Sequence, residues 1–132
     1  MCLGISGKIW KRFRKVRLNM YPPYLLDADT VDEKVTIKSA GNFALGYMEY
    51  ASFIVRYIGR SDSDIKEEIK KHIGQGYCYF KFRYASSPKD AFEKECNNYH
   101  DFNDPEGRLD NEKHPTRPVY SNRTCPICKK LY

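Results

Sequence analysis

The period of the apolar positions changes several times along the chain, and each change marks an element. From Asn42 to Tyr50 and from Phe53 to Ile58, β-branched and aromatic residues dominate, which suits two strands of a hairpin. Its turn, expected at Ala51-Ser52, has neither the Gly nor the Asn usual in tight hairpins. Gly59 is expected to end the second strand and let the backbone turn. Ile65, Ile69 and Ile73 then recur every fourth residue, which predicts a helix from about Asp62 to Ile73. Ser61 and Asp64 have the spacing of a capping box, and Gly74-Gln75-Gly76 closes the helix. From Tyr77 to Tyr84 the pattern alternates again. Cys78, Phe80, Phe82 and Tyr84 read as a core face, and Tyr77, Tyr79, Lys81 and Arg83 as a basic, aromatic face. Ser87-Pro88-Lys89-Asp90 opens a helix that runs to about His100 or Asp101. Ala91, Phe92, Cys96 and Tyr99 share one side of it, with Glu95 in their midst. A carboxylate there is unfavourable unless it is paired or binds metal.

The two ends are patterned differently. Ser6 is placed to cap a helix through about Leu18, with Ile9, Phe13, Val16 and Met20 on one face and cations on the other. Tyr21-Pro22-Pro23-Tyr24 breaks it, and residues 25–40 read as a linker or an added strand, with Val35-Thr36-Ile37 as a short edge strand. Past Phe102, prolines at 105, 115, 118 and 126 leave an irregular tail that something must hold. The expected fold is α+β: a small three-stranded, mostly antiparallel sheet flanked by helices. The expected divisions are a basic helix and linker over 1–40, a core over 41–104 and the tail over 105–132.

Composition narrows the classes. The 132 residues allow one domain with a modest core, and 41% apolar content with eleven Tyr excludes a disordered chain. No apolar run approaches the roughly 18 residues of a membrane helix, and the start lacks the apolar core of a secretory signal, so a cytoplasmic protein is expected. The net charge of +6 is concentrated in Lys8, Lys11, Arg12, Arg14, Lys15 and Arg17; setting those six aside leaves 17 basic residues against 17 acidic. Such an arm attracts a polyanion, unless it is only a solvated tail. Five cysteines do not suit a disulfide framework, and thiols or metal fit better. Cys125-Pro126-Ile127-Cys128 has knuckle spacing for a tetrahedral metal. Cys96 and His100, four apart on a helix, complete a zinc set, with His114 as the alternative fourth ligand. Cys2 and Cys78 are expected to stay outside it.

The residues in order resemble a known family. Leu45-Gly46-Tyr47, Tyr57-Ile58-Gly59-Arg60-Ser61, a helix carrying His72, and Ala91-x3-Glu95-x3-Tyr99 are similar to the GIY-YIG nuclease domain over about residues 42–100. The resemblance implies an endonuclease that hydrolyses phosphodiester bonds in DNA, or RNA, with a single divalent cation. Glu95 would hold Mg²⁺ or Mn²⁺, Tyr47 with Tyr57 would position the attacking water, and His72 would support proton transfer. The family also places an arginine in the helix after Tyr-Ile-Gly; here that position is Glu68, which repels phosphate. Arg60, Lys66 or Lys71 would supply the charge instead, and Arg60, on the strand–helix turn near the helix N–H groups, is the best candidate. Two other readings follow: a catalytically weak or inactive nucleic-acid-binding module on the same fold, and a zinc-stabilised protein-interaction domain.

Overall fold

The computed structural model describes residues 17–132. The basic helix expected from Ser6, with Lys8, Lys11, Arg12, Arg14 and Lys15, lies outside these residues up to position 16. Arg17 is exposed, and Leu18, the helix's expected end, is buried in an irregular segment. The elements are β1 (Tyr24–Leu25), α1 (Ala28–Lys34), β2 (Gly41–Glu49), β3 (Ser52–Ser61), α2 (Ile65–Lys70), β4 (Tyr79–Tyr84) and α3 (Pro88–Asn103). They form an α+β fold whose four-stranded antiparallel sheet has the order β1-β4-β2-β3. The additional strand is β1, two residues paired to Tyr79 and Phe80.

The central strand β2 separates two cores. Phe43 and Leu45 face α1 and α2, where they meet Val31, Val35, Ile65, Ile69, Phe80 and Phe82. Ala44 faces α3, where it meets Ile58, Leu18 and Leu109, with Phe53 and Tyr99 at the edge. Burial on both faces explains why β2 reads as almost continuously apolar from Phe43 to Leu45, while β4 alternates.

Several local expectations need correction. Residues 28–34 are a helix, and Val35-Thr36-Ile37 is not a strand. Asp27 accepts a hydrogen bond from the Thr30 amide at 2.8 Å and caps α1, while Val31 and Val35, one turn apart, are fully buried. The hairpin turns at Tyr50-Ala51, whose φ values of 50° and 65° are those of a two-residue primed turn without glycine. Gly59 does not end its strand: β3 runs on to Ser61, and a Cβ at Gly59 would strike the Phe43 ring. That glycine is a seat for Phe43. At Gly46 a Cβ would strike the Ile54 carbonyl, beside a register shift between β2 and β3. The helix α2 is shorter than expected. Ser61 Oγ accepts from the Asp64 amide, but Asp64 is itself the cap, and Ile73 is exposed beyond the last turn. Cys78 is disulfide-bonded rather than a free thiol.

The tail is held partly by β3, the outer strand. Asp110 N–H donates to the Arg56 carbonyl, and the Asn111 amide both accepts from Ile58 N–H at 3.0 Å and donates to the Ile58 carbonyl at 2.8 Å. One side chain thus stands in for a neighbouring strand, which protects an open edge. Asn111→Ala should destabilise the fold by about 1–3 kcal/mol, read as a lower urea midpoint. An unchanged midpoint would mean that water replaces the amide without loss.

Candidate active-site cleft and metal centre

Alternation along β3 decides where its side chains go. Ile58 is buried toward α3, so Arg60, two residues on, projects to the same side. There its Nη1 donates to Glu95 Oε1 at 2.6 Å and its Nε to Asp62 Oδ1 at 2.7 Å. The guanidinium also lies 5.2 Å from the centre of the Phe92 ring. Glu95 is carried on the buried face of α3 and is only 8% exposed. Burial pushes its carboxyl up to about 7, outweighing the pull of the Arg60 charge in the other direction. Arg60 is itself desolvated, but its bonds to Asp62 and Glu95 raise its pKa and keep it charged.

Tyr57 leaves the other face of β3. Its ring lies 4.8 Å from His72 and 6.2 Å from both Phe43 and Tyr77. Burial, and then the charges of Glu95 and Glu68, raise its phenol above the usual range. Tyr57, Arg60, Asp62, Glu68 and Glu95 line one cleft of about 830 Å³ along the edge of β3, whose opposite wall is the tail segment from Asp110 to Arg117.

Of the five residues expected in an active site, three share this cleft: Tyr57, Arg60 and Glu95. His72 does not line it. It packs behind Tyr57, with Nδ1 2.8 Å from Gln75 Oε1. Tyr47, half-buried on β2 opposite Ile54, is not among the lining residues either. The second phenol in the cleft is Tyr77, whose hydroxyl donates to Asp110 Oδ2 at 2.9 Å. Burial and that bond raise its pKa. The sequence placed Tyr77 on the outer face of a strand; nothing local indicates its partner, 33 positions away. Glu68, on α2, lines the cleft and pairs with Lys71 at 3.2 Å.

At the far wall, which includes His114, the residues His100, His114, Cys125 and Cys128 present ligand atoms all within 4.8 Å of one another. The Nε2 atoms of the two histidines are 3.1 Å apart, and Cys128 Sγ is 3.6 Å from His114 Nε2. In a tetrahedron with metal–nitrogen bonds of about 2.0–2.1 Å and metal–sulfur bonds of about 2.3 Å, the N–N and N–S edges are about 3.3 and 3.6 Å. The group therefore has the size to hold a metal ion.

The surroundings orient each ligand. His100 Nδ1 lies 2.7 Å from Asp104 Oδ2 and His114 Nδ1 2.8 Å from the Pro115 carbonyl, which turns both Nε2 atoms inward. Tyr132 stacks on His114 with ring centres 3.6 Å apart, and Tyr99 meets both imidazoles edge-on. The Ile127 amide donates to Cys125 Sγ at 3.4 Å. Partial burial resists ionisation of Cys128, but the Lys130 amide and bonds with Cys125, Tyr132 and His100 bring its thiol down to about 7. Burial lowers the pKa of His114, which favours the neutral, ligating imidazole.

Cys96 does not belong to this group. It is fully buried beside Phe92 and Cys125, and burial and the Cys125 bond raise its pKa and keep it a thiol. His114, the alternative ligand, occupies the fourth position. The Cys-x-x-Cys spacing identified half the set, whereas the choice between Cys96 and His114 depended on the path of the tail. Among the described residues, no helix is long and apolar enough to cross a membrane. No protein-family model, curated protein or solved structure matches this chain.

Proposed function

We propose that the chain is a metal-dependent endonuclease of GIY-YIG type, hydrolysing phosphodiester bonds of DNA in the cleft along β3. The observation that carries this reading is that Glu95, Arg60 and Tyr57, from α3 and β3, line one cleft, with Arg60 bonded to Glu95. The donor chemistry fits a hard cation, since the carboxylates of Asp62, Glu68 and Glu95 line the same space. Glu95 would hold Mg²⁺ or Mn²⁺, and the bound ion would supply charge for the phosphate and the departing oxygen. Tyr57 orients the water. His72, against the Tyr57 ring, fixes that phenol rather than touching substrate. Arg60 would neutralise a non-bridging phosphate oxygen. Zinc, held by His100, His114, Cys125 and Cys128, fixes the tail that walls the cleft. The six cations of residues 8–17 bind the DNA backbone.

The test is cleavage of supercoiled plasmid and labelled duplex with Mg²⁺ or Mn²⁺. Glu95→Ala should lower the rate at least about 10²-fold, with the midpoint of thermal unfolding recorded alongside to exclude loss of the fold. Equal, negligible cleavage by wild type and variant favours the second reading, a nucleic-acid-binding module without catalysis. Two observations support that reading: Glu68 in the cleft and Tyr47 outside it. A zinc-stabilised protein-interaction domain remains the reading for a chain with no polyanion affinity at all.

A further inference from the structure

The tail carries an exposed aromatic loop that neither the proposed catalysis nor the metal centre uses. Between the ligands His114 and Cys125 the chain makes a loop whose tip is Val119-Tyr120. The tip is a turn closed by the Ser121 amide on the Pro118 carbonyl at 3.1 Å, and Tyr120 takes a left-handed φ of 62°. That conformation turns an aromatic ring outward: Tyr120 is fully exposed, and Val119 is 79% exposed. Residues 113–132 contain Lys113, Arg117, Arg123, Lys129 and Lys130 and no acidic residue. Val119 also lines the cleft that holds Glu95.

We infer that the loop at Tyr120 is a binding surface for unpaired nucleotides, with the phenol ring stacking on a base and the tail cations following the phosphates. The chemistry calls for both parts. A bare aromatic ring on a cationic segment without acids matches a strand that offers base faces and phosphates together. A folded acidic protein offers the charge without the stacking partner, and duplex DNA keeps its base faces covered. The position of Val119 means that a strand seated on Tyr120 continues into the cleft. The inference takes its partner class from the nuclease reading but does not depend on hydrolysis, so the two fail separately.

The experiment is fluorescence anisotropy with the full chain, without added divalent cation, on a labelled 20-nucleotide single strand and on the blunt duplex of the same sequence. Tyr120→Ala should weaken single-strand binding about tenfold and duplex binding less than about twofold. Tyr120→Phe should bind as wild type. Arg123→Ala should reduce the slope of log K against log salt by about 0.7 on the single strand. Metal content and thermal midpoint should be unchanged in all three. A ribo-oligonucleotide of the same sequence, if bound more tightly, supports the loop and names RNA as the strand. Single-strand affinity unaltered in Tyr120→Ala overturns the inference. So does equal weakening on strand and duplex, or binding to an acidic peptide or phosphatidylserine vesicles with none to oligonucleotides.

Discussion

If the proposed zinc occupies the His100–His114–Cys125–Cys128 group, removing it should lower the midpoint of thermal unfolding by at least about 10 °C and expose the tail to protease. A structural zinc contributes on the order of 10 kcal/mol. The tail has little else to hold it: after α3 only Leu109, Pro115 and Cys125 are buried. Asn111 secures its first part to β3, but the segment from Lys113 onward depends on the ligands. In a domain of this size each kcal/mol shifts the midpoint by about 2–8 °C, so half of the zinc contribution gives the stated drop. Calorimetry with and without a strong chelator measures it, and added Zn²⁺ should restore the midpoint. Trypsin should then cut first at Lys113 and Arg123. Cys128→Ser should act in the same direction, and the sheet should keep its far-UV signature in both cases. The effect extends to the cleft, because its far wall runs from Asp110 to Arg117 and includes His114. Cys128→Ser, assayed with Mg²⁺ present, should therefore suppress any nuclease activity more than the loss of folded protein accounts for. A chelated chain with an unchanged midpoint and a protected tail would show that packing, not metal, holds this segment.

What the sequence revealed tracks how local each signal is. The start of α3 was legible because Ser87, Pro88 and Asp90 satisfy a helix terminus among themselves, and Ser87 Oγ does accept from the Asp90 amide at 3.1 Å. The β4 pattern was legible because a strand with a single strongly apolar face writes that face into every second residue. The α1 helix was not, since seven residues with one fully buried side chain between polar ones carry too little periodicity. Gly59 suggested a turn, because a missing side chain in sequence does not say whether it frees the backbone or makes room for a ring. The position of Glu95 on an apolar stripe showed that a partner was needed. Its identity, Arg60, lies 35 residues away and is set by strand alternation joined to helix docking. The same holds for Asn111 against Ile58 and for His114 in the metal group. These pairs rest on the route of an irregular tail, which no period encodes.

Replacing Arg60 by Met should destabilise the chain by about 1–1.5 kcal/mol more at pH 8 than at pH 5. The Arg60–Glu95 pair is little exposed, with both side chains at 11%, so screening by water is weak. Removing one partner of a buried pair leaves a charge without compensation, which is the unfavourable half of such an arrangement. The pH dependence follows from Glu95, whose carboxyl is pushed by burial to about 7 in the folded chain, above its ordinary value of 4.5. A raised folded pKa means that the folded state holds the proton more tightly than the unfolded state. The stability that Glu95 contributes is therefore complete below about pH 4.5 and is lost as pH rises through about 7. Without Arg60, which lowers the pKa, the proton is held still more tightly and the loss extends further up the pH scale. At pH 5 the variant keeps Glu95 neutral and little is lost. At pH 8 it must either ionise a buried acid or hold a proton against the solution. Urea midpoints at the two pH values measure the difference, and Arg60→Met with Glu95→Gln should recover most of it at pH 8. An equal loss at both values would show that Arg60 acts through packing on Phe92 or through Asp62 instead. In the wild type, the same titration should make metal-dependent cleavage rise with pH through about 7, since a hard cation binds the ionised carboxylate.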